Sequence, residues 1–310
     1  NALRGRTRAT CPEGTDCRNA RPAPACCTEY SGRWDGSGAA ALLRRAAERR
    51  QPLAAVALGN ELGGAKAIEA HLDAAEYAAD LAALDAMLKR AWPPPREPPL
   101  LVAPNVQWPA TDDGWLGELL AAPALPPLGA LSLHSYPLGP GNMSVRDMTN
   151  KMLRADFLER LQQTVAGAQR LLLGSPRQHS AALWVAELGG AYNSGRHGAT
   201  DVYVSSFWYA DALGSLARLG TQTVCRQTLL GGSYSLLSLG WRHPAAPQGD
   251  DANESCDGWA ARGECAANSY FMGITCPLAC WVHNKTASAG VVTPALPRRV
   301  HPDFYTAALW

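Results

Sequence analysis

Two glutamates stand where short apolar runs break into glycine. Glu61 ends Val56-Ala57-Leu58-Gly59-Asn60-Glu61, and Glu187 lies in Leu183-Trp184-Val185-Ala186-Glu187-Leu188-Gly189-Gly190. Facing each other across one pocket, two such carboxyl groups can cleave a glycosidic bond: one donates a proton to the leaving oxygen while the other attacks the anomeric carbon. Retention of configuration requires them to be about 5 to 5.5 Å apart. The acid must hold its proton, which partial burial or a negative neighbour favours. Asn60 adds an amide beside the acid, able to donate to the hydroxyl next to the anomeric carbon. Each glutamate taken alone reads equally well as an ordinary acid in a solvated loop.

Two residues so distant in sequence meet only if the elements carrying them converge. Short aliphatic runs bounded by glycine read as buried strands, and strands alternate with helices along the chain. Strands are expected at Leu53–Leu58, Leu100–Ala103, Ala130–Leu133, Ala182–Ala186 and Thr223–Arg226, with Asn1-Ala2-Leu3 ending another. Helices are expected at Ala39–Arg49, Ala65–Ala91, Asp113–Ala122, Arg154–Leu173 and Thr200–Arg218. The stripe Ala74, Tyr77, Leu81, Leu84 and Leu88 has helical spacing, and Pro93-Pro94-Pro95 stops it. This alternation predicts parallel βα units. In a (β/α)8 barrel, the carboxyl ends of the strands gather catalytic groups at one rim. A closed barrel needs eight strands; with fewer visible, either the first strands lie upstream of Asn1, the preferred reading, or the sheet is open.

The bulk properties agree. A chain of 310 residues with 47% hydrophobic and 18% charged residues can bury a large core. A net charge of +1 without a dense basic run argues against nucleic acid, and no apolar stretch is long enough for a transmembrane helix. The nine cysteines include two groups of four, Cys11, Cys17, Cys26 and Cys27, then Cys256, Cys265, Cys276 and Cys280. That usage, with sequons at Asn142, Asn253 and Asn284, fits disulfides and a secreted, extracellular or cell-wall location, with a lysosome or vacuole as the alternative. Cys225 is left over, in a strand, and is expected to be a buried thiol.

An ordered set of short pieces resembles heparanase and its plant and fungal β-glucuronidase relatives. The pieces are Asn1-Ala2-Leu3, Leu58-Gly59-Asn60-Glu61, Leu101-Val102-Ala103-Pro104-Asn105-Val106, Leu133-His134-Ser135-Tyr136-Pro137-Leu138, Trp184-Val185-Ala186-Glu187 with Ala191-Tyr192, Val224-Cys225-Arg226-Gln227, and Pro302-Asp303-Phe304-Tyr305. The resemblance implies a retaining glycoside hydrolase on a (β/α)8 TIM barrel, with Glu61 as acid/base and Glu187 as nucleophile. It implies that Tyr192 and Gly195 lie in the loop whose backbone amides hold a uronate carboxylate. Gln227 and Tyr234 become pocket residues after the last strand, and His134 and Tyr136 wall the site, or else pack against each other without touching substrate. The implied substrate is a polysaccharide, proteoglycan or glycoprotein glycan with β-linked uronic acid; no metal or organic cofactor is implied. Two departures stand out. Leu188-Gly189-Gly190 follows the nucleophile where the family favours small hydroxyl residues. Gln107-Trp108-Pro109-Ala110-Thr111 carries none of the cations that sulfate recognition needs. Trp108 fits stacking on a neutral sugar or plain packing. The competing class is a non-catalytic extracellular glycan-binding or adhesion protein on the same scaffold.

Near the end of the chain, Cys256-Asp257-Gly258-Trp259-Ala260-Ala261-Arg262-Gly263-Glu264-Cys265, with Asn268, Met272 and Cys276-Pro277-Leu278-Ala279-Cys280, resembles the ShK toxin-like module. Gly249 and His283 stand at its two outer cysteine positions, so one whole bridge is lost. The resemblance implies Cys256–Cys276 and Cys265–Cys280 pairs, staples that so small a segment needs. A zinc site using Cys276, Cys280 and His283 is the rival reading. The expected organisation is a partial catalytic barrel over 1–248, the disulfide insert over 249–283, and a return to the barrel's final helix over 284–310.

Overall fold

The computed structural model describes residues 2–13, 15, 25–63, 70–107, 114–175, 178, 180–238, 253, 255–276, 279–280, 283, 299–300, 303 and 306–307. The chain forms two compact units. The first comprises Asn1–Ser135, Gln163–Glu187 and Leu219–Val224, and the second Tyr136–Gln162, Leu188–Arg218 and Cys225–Trp310.

In chain order the elements begin with β1 (Thr7–Arg8), α1 (Ala25–Thr28), β2 (Glu29–Ser31), α2 (Ser37–Glu48), β3 (Ala55–Ala57), β4 (His71–Leu72), α3 (Ala74–Ala91), β5 (Leu100–Gln107), α4 (Trp115–Ala121) and β6 (Ala130–Ser135). They continue with β7 (Gly139–Pro140), α5 (Val145–Met152), α6 (Glu159–Gly174), β8 (Ala182–Leu188), β9 (Ala191–Tyr192), α7 (Tyr203–Arg218) and β10 (Thr223–Arg226). Last come β11 (Leu237–Ser238), α8 (Cys256–Ala261), α9 (Glu264–Ala267), α10 (Ser269–Thr275) and β12 (Arg299–Val300).

The main sheet has five strands in the order β10-β8-β6-β5-β3. β3 pairs parallel with β5, and β5 with β6. These strands follow one another across the sheet in chain order, with helices between them. A doubly wound sheet would reverse direction at a switch point; an arc of a (β/α)8 barrel winds as seen here. β5 and β6 are buried almost throughout, from Leu101, Val102 and Ala103 to Ala130, Leu131 and Leu133, as parallel strands covered on both faces must be. On α3 the stripe Tyr77, Leu81, Leu84 and Leu88 is buried at 2% exposure or less.

Several boundaries differ from expectation. Residues 2–5 form a turn rather than a strand end. α3 begins at Ala74, not Ala65, because the Asp73 side chain accepts hydrogen bonds from the Ala75 and Glu76 amides and caps the helix there; residues 64–69 are not described. His71–Leu72 instead pairs with β2. The stretch expected as one helix from Arg154 is preceded by α5, capped by Ser144, whose hydroxyl accepts from the Asp147 amide. Cys225 is exposed, not buried: β10 is the last strand in the sheet order and is only half buried.

Within the second unit, β7 pairs with β9 and β11 with β12. Arg226 pairs with buried Asp303 at 2.6 Å and stacks on Tyr209 with its guanidinium 4.5 Å from the ring centre. Burial lowers the Arg226 pKa while Asp303 raises it, and burial wins. The cysteine module closes through Cys256–Cys276 and Cys265–Cys280. These bridges consume the sulfurs a zinc ion would need, so the zinc reading fails. The module packs Cys256, Ala260, Met272, Cys276, Ala279 and Cys280 into a core of its own. Cys11 and Cys27 are also disulfide-bonded, though not to each other, with their sulfurs 3.5 Å apart.

Candidate active site

Glu61 follows β3 through a sharp turn in which Gly59 has φ +72 and Glu61 itself φ +51. A non-glycine residue in the left-handed region costs about 1–2 kcal/mol, a cost met mostly where surrounding contacts over-determine the backbone. Those contacts are present. The Glu61 amide donates to the Asn105 carbonyl at 2.9 Å. The buried Tyr77 hydroxyl donates to the Leu58 carbonyl at 2.7 Å, and burial pushes its phenol pKa upward.

Asn105 is held with equal care. It sits in β5 where the register against β6 shifts, with φ +57. Asparagine tolerates that conformation better than most residues, and a bulge re-aims a strand end. Its amide donates to the Ser132 hydroxyl at 3.0 Å. The run Pro104-Asn105 was expected to close the strand; β5 instead continues through it to Gln107. Asn105 and Ser132 were not recognised as site residues. The one available signal was an asparagine after proline inside an apolar strand.

Glu187 needs no turn, because it is a residue of β8. Its side chain is 25% exposed, while that of Glu61 is 3% exposed. Between them stands His134 on β6, with Nδ1 2.7 Å from Glu61 Oε1 and 3.6 Å from Glu187 Oε2. Two carboxylates on one ring nitrogen assign the proton to Nδ1, which donates to Glu61. His134 is therefore in hydrogen-bond contact with Glu61 and stands 3.6 Å from Glu187. One ligating atom from each of the three residues lies within 4.8 Å of the other two. Glu61 Oε2 is buried and has no hydrogen-bond partner among the described residues, and neither has Asn105 Oδ1.

The remaining expected residues divide as follows. Asn60 is exposed in the turn beside Glu61. In the second unit, Tyr136 and Tyr192 meet edge to face at 6.4 Å. Gly195 has φ +76, and a Cβ there would lie 2.5 Å from the Thr200 hydroxyl oxygen and 2.8 Å from the Tyr234 amide nitrogen, so only glycine fits. The Gln227 amide approaches the Tyr234 hydroxyl at 3.5 Å, and Arg226 donates to the Tyr234 carbonyl. Trp108 lies outside the described residues.

A chain-ordered βα sheet with one glutamate in the turn after its first strand and a neighbouring one on its fourth defines the class of α/β proteins built around a carboxylate pair. The match to known proteins narrows it. Residues 5–214 match the glycosyl hydrolase family 79 N-terminal domain, and the chain belongs to that family. It is 32% identical over 212 residues to heparanase-like protein 2 of Arabidopsis thaliana, covering 68% of this chain and 38% of that protein. It is 31% identical over 214 residues to the baicalin-beta-D-glucuronidase of Scutellaria baicalensis, covering 69% of this chain and 39% of that one. The chain thus spans well under half the length of these relatives. A solved 4-O-alpha-L-rhamnosyl-beta-D-glucuronidase from Fusarium oxysporum aligns with 64% of this chain and 43% of its own at 17% identity, with a TM-score of 0.46. Among the described residues no helix is long and apolar enough to cross a membrane.

Proposed function

We propose that the protein is a retaining glycoside hydrolase acting on glycans with β-linked uronic acid. The supporting observation is the placement of the Glu61 and Glu187 carboxyl groups, with His134 between them, so that donor atoms lie within 4.8 Å. That separation suits direct attack by a carboxylate; inverting enzymes leave about 6.5–9.5 Å for a water. In the first step Glu187 bonds to the anomeric carbon as the glycosidic C–O bond breaks, and the leaving oxygen takes the proton from Glu61. In the second, Glu61 takes a proton from water, whose oxygen attacks the anomeric carbon and releases Glu187. Oε1 being engaged by His134, Oε2, which has no partner among the described residues, is the oxygen this mechanism uses for the proton. His134 fixes Oε1 and lends positive character between the two acids. Asn60 serves the neighbouring sugar hydroxyl; for the uronate carboxylate, the family resemblance implies the loop of Tyr192 and Gly195. The relatives named heparanase-like protein 2 and baicalin-beta-D-glucuronidase support the substrate class. The disulfides support a secreted protein.

Hydrolysis of p-nitrophenyl β-glucuronide by the full-length protein tests this. Glu61→Gln and Glu187→Gln should each lower kcat by about 10²–10⁴-fold or more, and the first sugar product should be the β-anomer. Turnover that survives Glu187→Gln, or an α-anomer, would refute the mechanism. One observation favours a second reading: the Glu61, His134 and Glu187 donors are close enough to ligate a divalent cation. Activity lost on exhaustive chelation and restored by a single metal would select that reading. Absence of turnover on any uronide, with glycan binding unaffected by either substitution, would select the adhesion class.

A further inference from the structure

The turn that joins β7 to α5 carries the sequon Asn142-Met143-Ser144, which the catalytic reading does not use. Within the second unit, the Met143 amide donates to the Pro140 carbonyl at 3.2 Å, closing a four-residue turn with Gly141 and Asn142 at its crest. Gly141 is buried and Asn142 is exposed. The Gly141 amide donates to the Tyr192 carbonyl at 2.8 Å, and a Cβ on Gly141 would lie 2.3 Å from the Gly195 carbonyl oxygen. The turn is therefore pressed against the Tyr192–Gly195 loop through Gly141, and Asn142 is left on the outside. The exposure continues from Ser144 through Asp147, so a bulky group on Asn142 meets solvent there.

A sequon accepts an oligosaccharide in the secretory pathway, and only an asparagine at the surface keeps one after folding. We infer that Asn142 is N-glycosylated and holds an oligosaccharide at the outer edge of the Tyr192–Gly195 loop. The donor is a lipid-linked oligosaccharide diphosphate. Asn142 Nδ2 bonds to the anomeric carbon of its N-acetylglucosamine and gives up one proton to solvent. The bond from that carbon to the lipid diphosphate breaks, and the diphosphate leaves with the electron pair. Ser144 then has two successive duties. Its hydroxyl completes the sequon while the chain is open. In the fold it donates to Asp147 Oδ2 at 2.6 Å and accepts from the Asp147 amide at 3.0 Å, capping α5. Transfer therefore precedes the cap. Of the other sequons, Asn253 has its Oδ1 engaged by the Ser255 amide at 2.8 Å, in the turn that leads to disulfide-bonded Cys256; residues 284–286 lie outside the described residues. The inference rests on the secreted reading supported by the disulfides, not on the proposed hydrolysis.

The test is site-specific mass spectrometry of the full-length protein purified from a eukaryotic secretory host, before and after peptide N-glycosidase in heavy-oxygen water. Asn142 should be recovered as an aspartate carrying heavy oxygen, and Asn142→Gln should be lighter by one glycan. Ser144→Thr should keep the glycan. Ser144→Ala should lose it and also melt below Asn142→Gln, because it alone loses the cap; equal melting of the two would refute the second duty of Ser144. The same digests, run without reduction, report the module disulfides. A bare Asn142 in protein whose Cys256–Cys276 and Cys265–Cys280 bridges are intact overturns the glycosylation and leaves the secreted reading standing. A bare Asn142 together with free module cysteines overturns both. Glycan on Asn253 alone, or an unchanged glycan mass in Asn142→Gln, also refutes the assignment. Turnover of the chromogenic glucuronide enters none of these readouts, so the catalytic reading stands or falls separately.

Discussion

Replacing His134 by phenylalanine would remove the side-chain hydrogen-bond partner that the described residues give the Glu61 carboxyl, while nearly preserving the ring's volume. The lost contact is short, 2.7 Å, and both partners are almost fully buried, at 3% side-chain exposure. Glu61 Oε2 has no partner among the described residues, so the substitution would leave both oxygens of a buried carboxyl without a partner among them. A hydrogen bond to a charged group is worth about 1.5–3 kcal/mol. If the loss falls wholly on the transition state, kcat for the chromogenic glucuronide drops about 10- to 150-fold with KM little changed. If it falls on the ground state, the same energy is lost from folding and appears in urea unfolding. His134→Gln, which keeps an amide donor, should recover part of the loss. In a Glu61→Ala background, His134→Phe should cost far less, because residues acting through each other are not additive. Activity of His134→Phe within twofold of wild type, with unchanged unfolding, would refute the role given to this histidine. So would an equal effect with and without Glu61.

Two further tests concern what holds the site in place. The Tyr77 phenol is protonated in the fold with its pKa raised by burial, so its contribution is intact below the unfolded pKa near 10 and is lost as pH rises above it. Between pH 10 and 11 the wild type should lose up to about 1.4 kcal/mol more stability than Tyr77→Phe; parallel slopes in urea unfolding would contradict this. Breaking the buried Arg226–Asp303 pair with Arg226→Met should cost about 3–5 kcal/mol, while Arg226→Met with Asp303→Leu should recover most of it, since the uncompensated charge is the larger penalty. Equal melting of the single and double variants would argue against that account.

The residue pattern alone located the five strands of the main sheet, because buried parallel strands announce themselves as aliphatic runs bounded by glycine. It also singled out Glu61, Glu187 and, through resemblance, the two module disulfides. It misplaced the start of α3, although Asp73 and Glu76 have the spacing of a capping box. It missed α5, because the capping signal at Ser144 follows a loop rich in glycine and proline.

What only the tertiary structure decided is which side chains meet. That His134 reaches both acids depends on β3, β6 and β8 lying in one sheet in a particular order and register, and no periodicity within a strand encodes its neighbours. That Asn105 grips the Glu61 backbone depends on a bulge set by pairing with β6. Cys225 turned outward because its strand ends the sheet. Local chemistry sets which residues can form strands, helices and bridges; long-range packing alone sets which of them share a site.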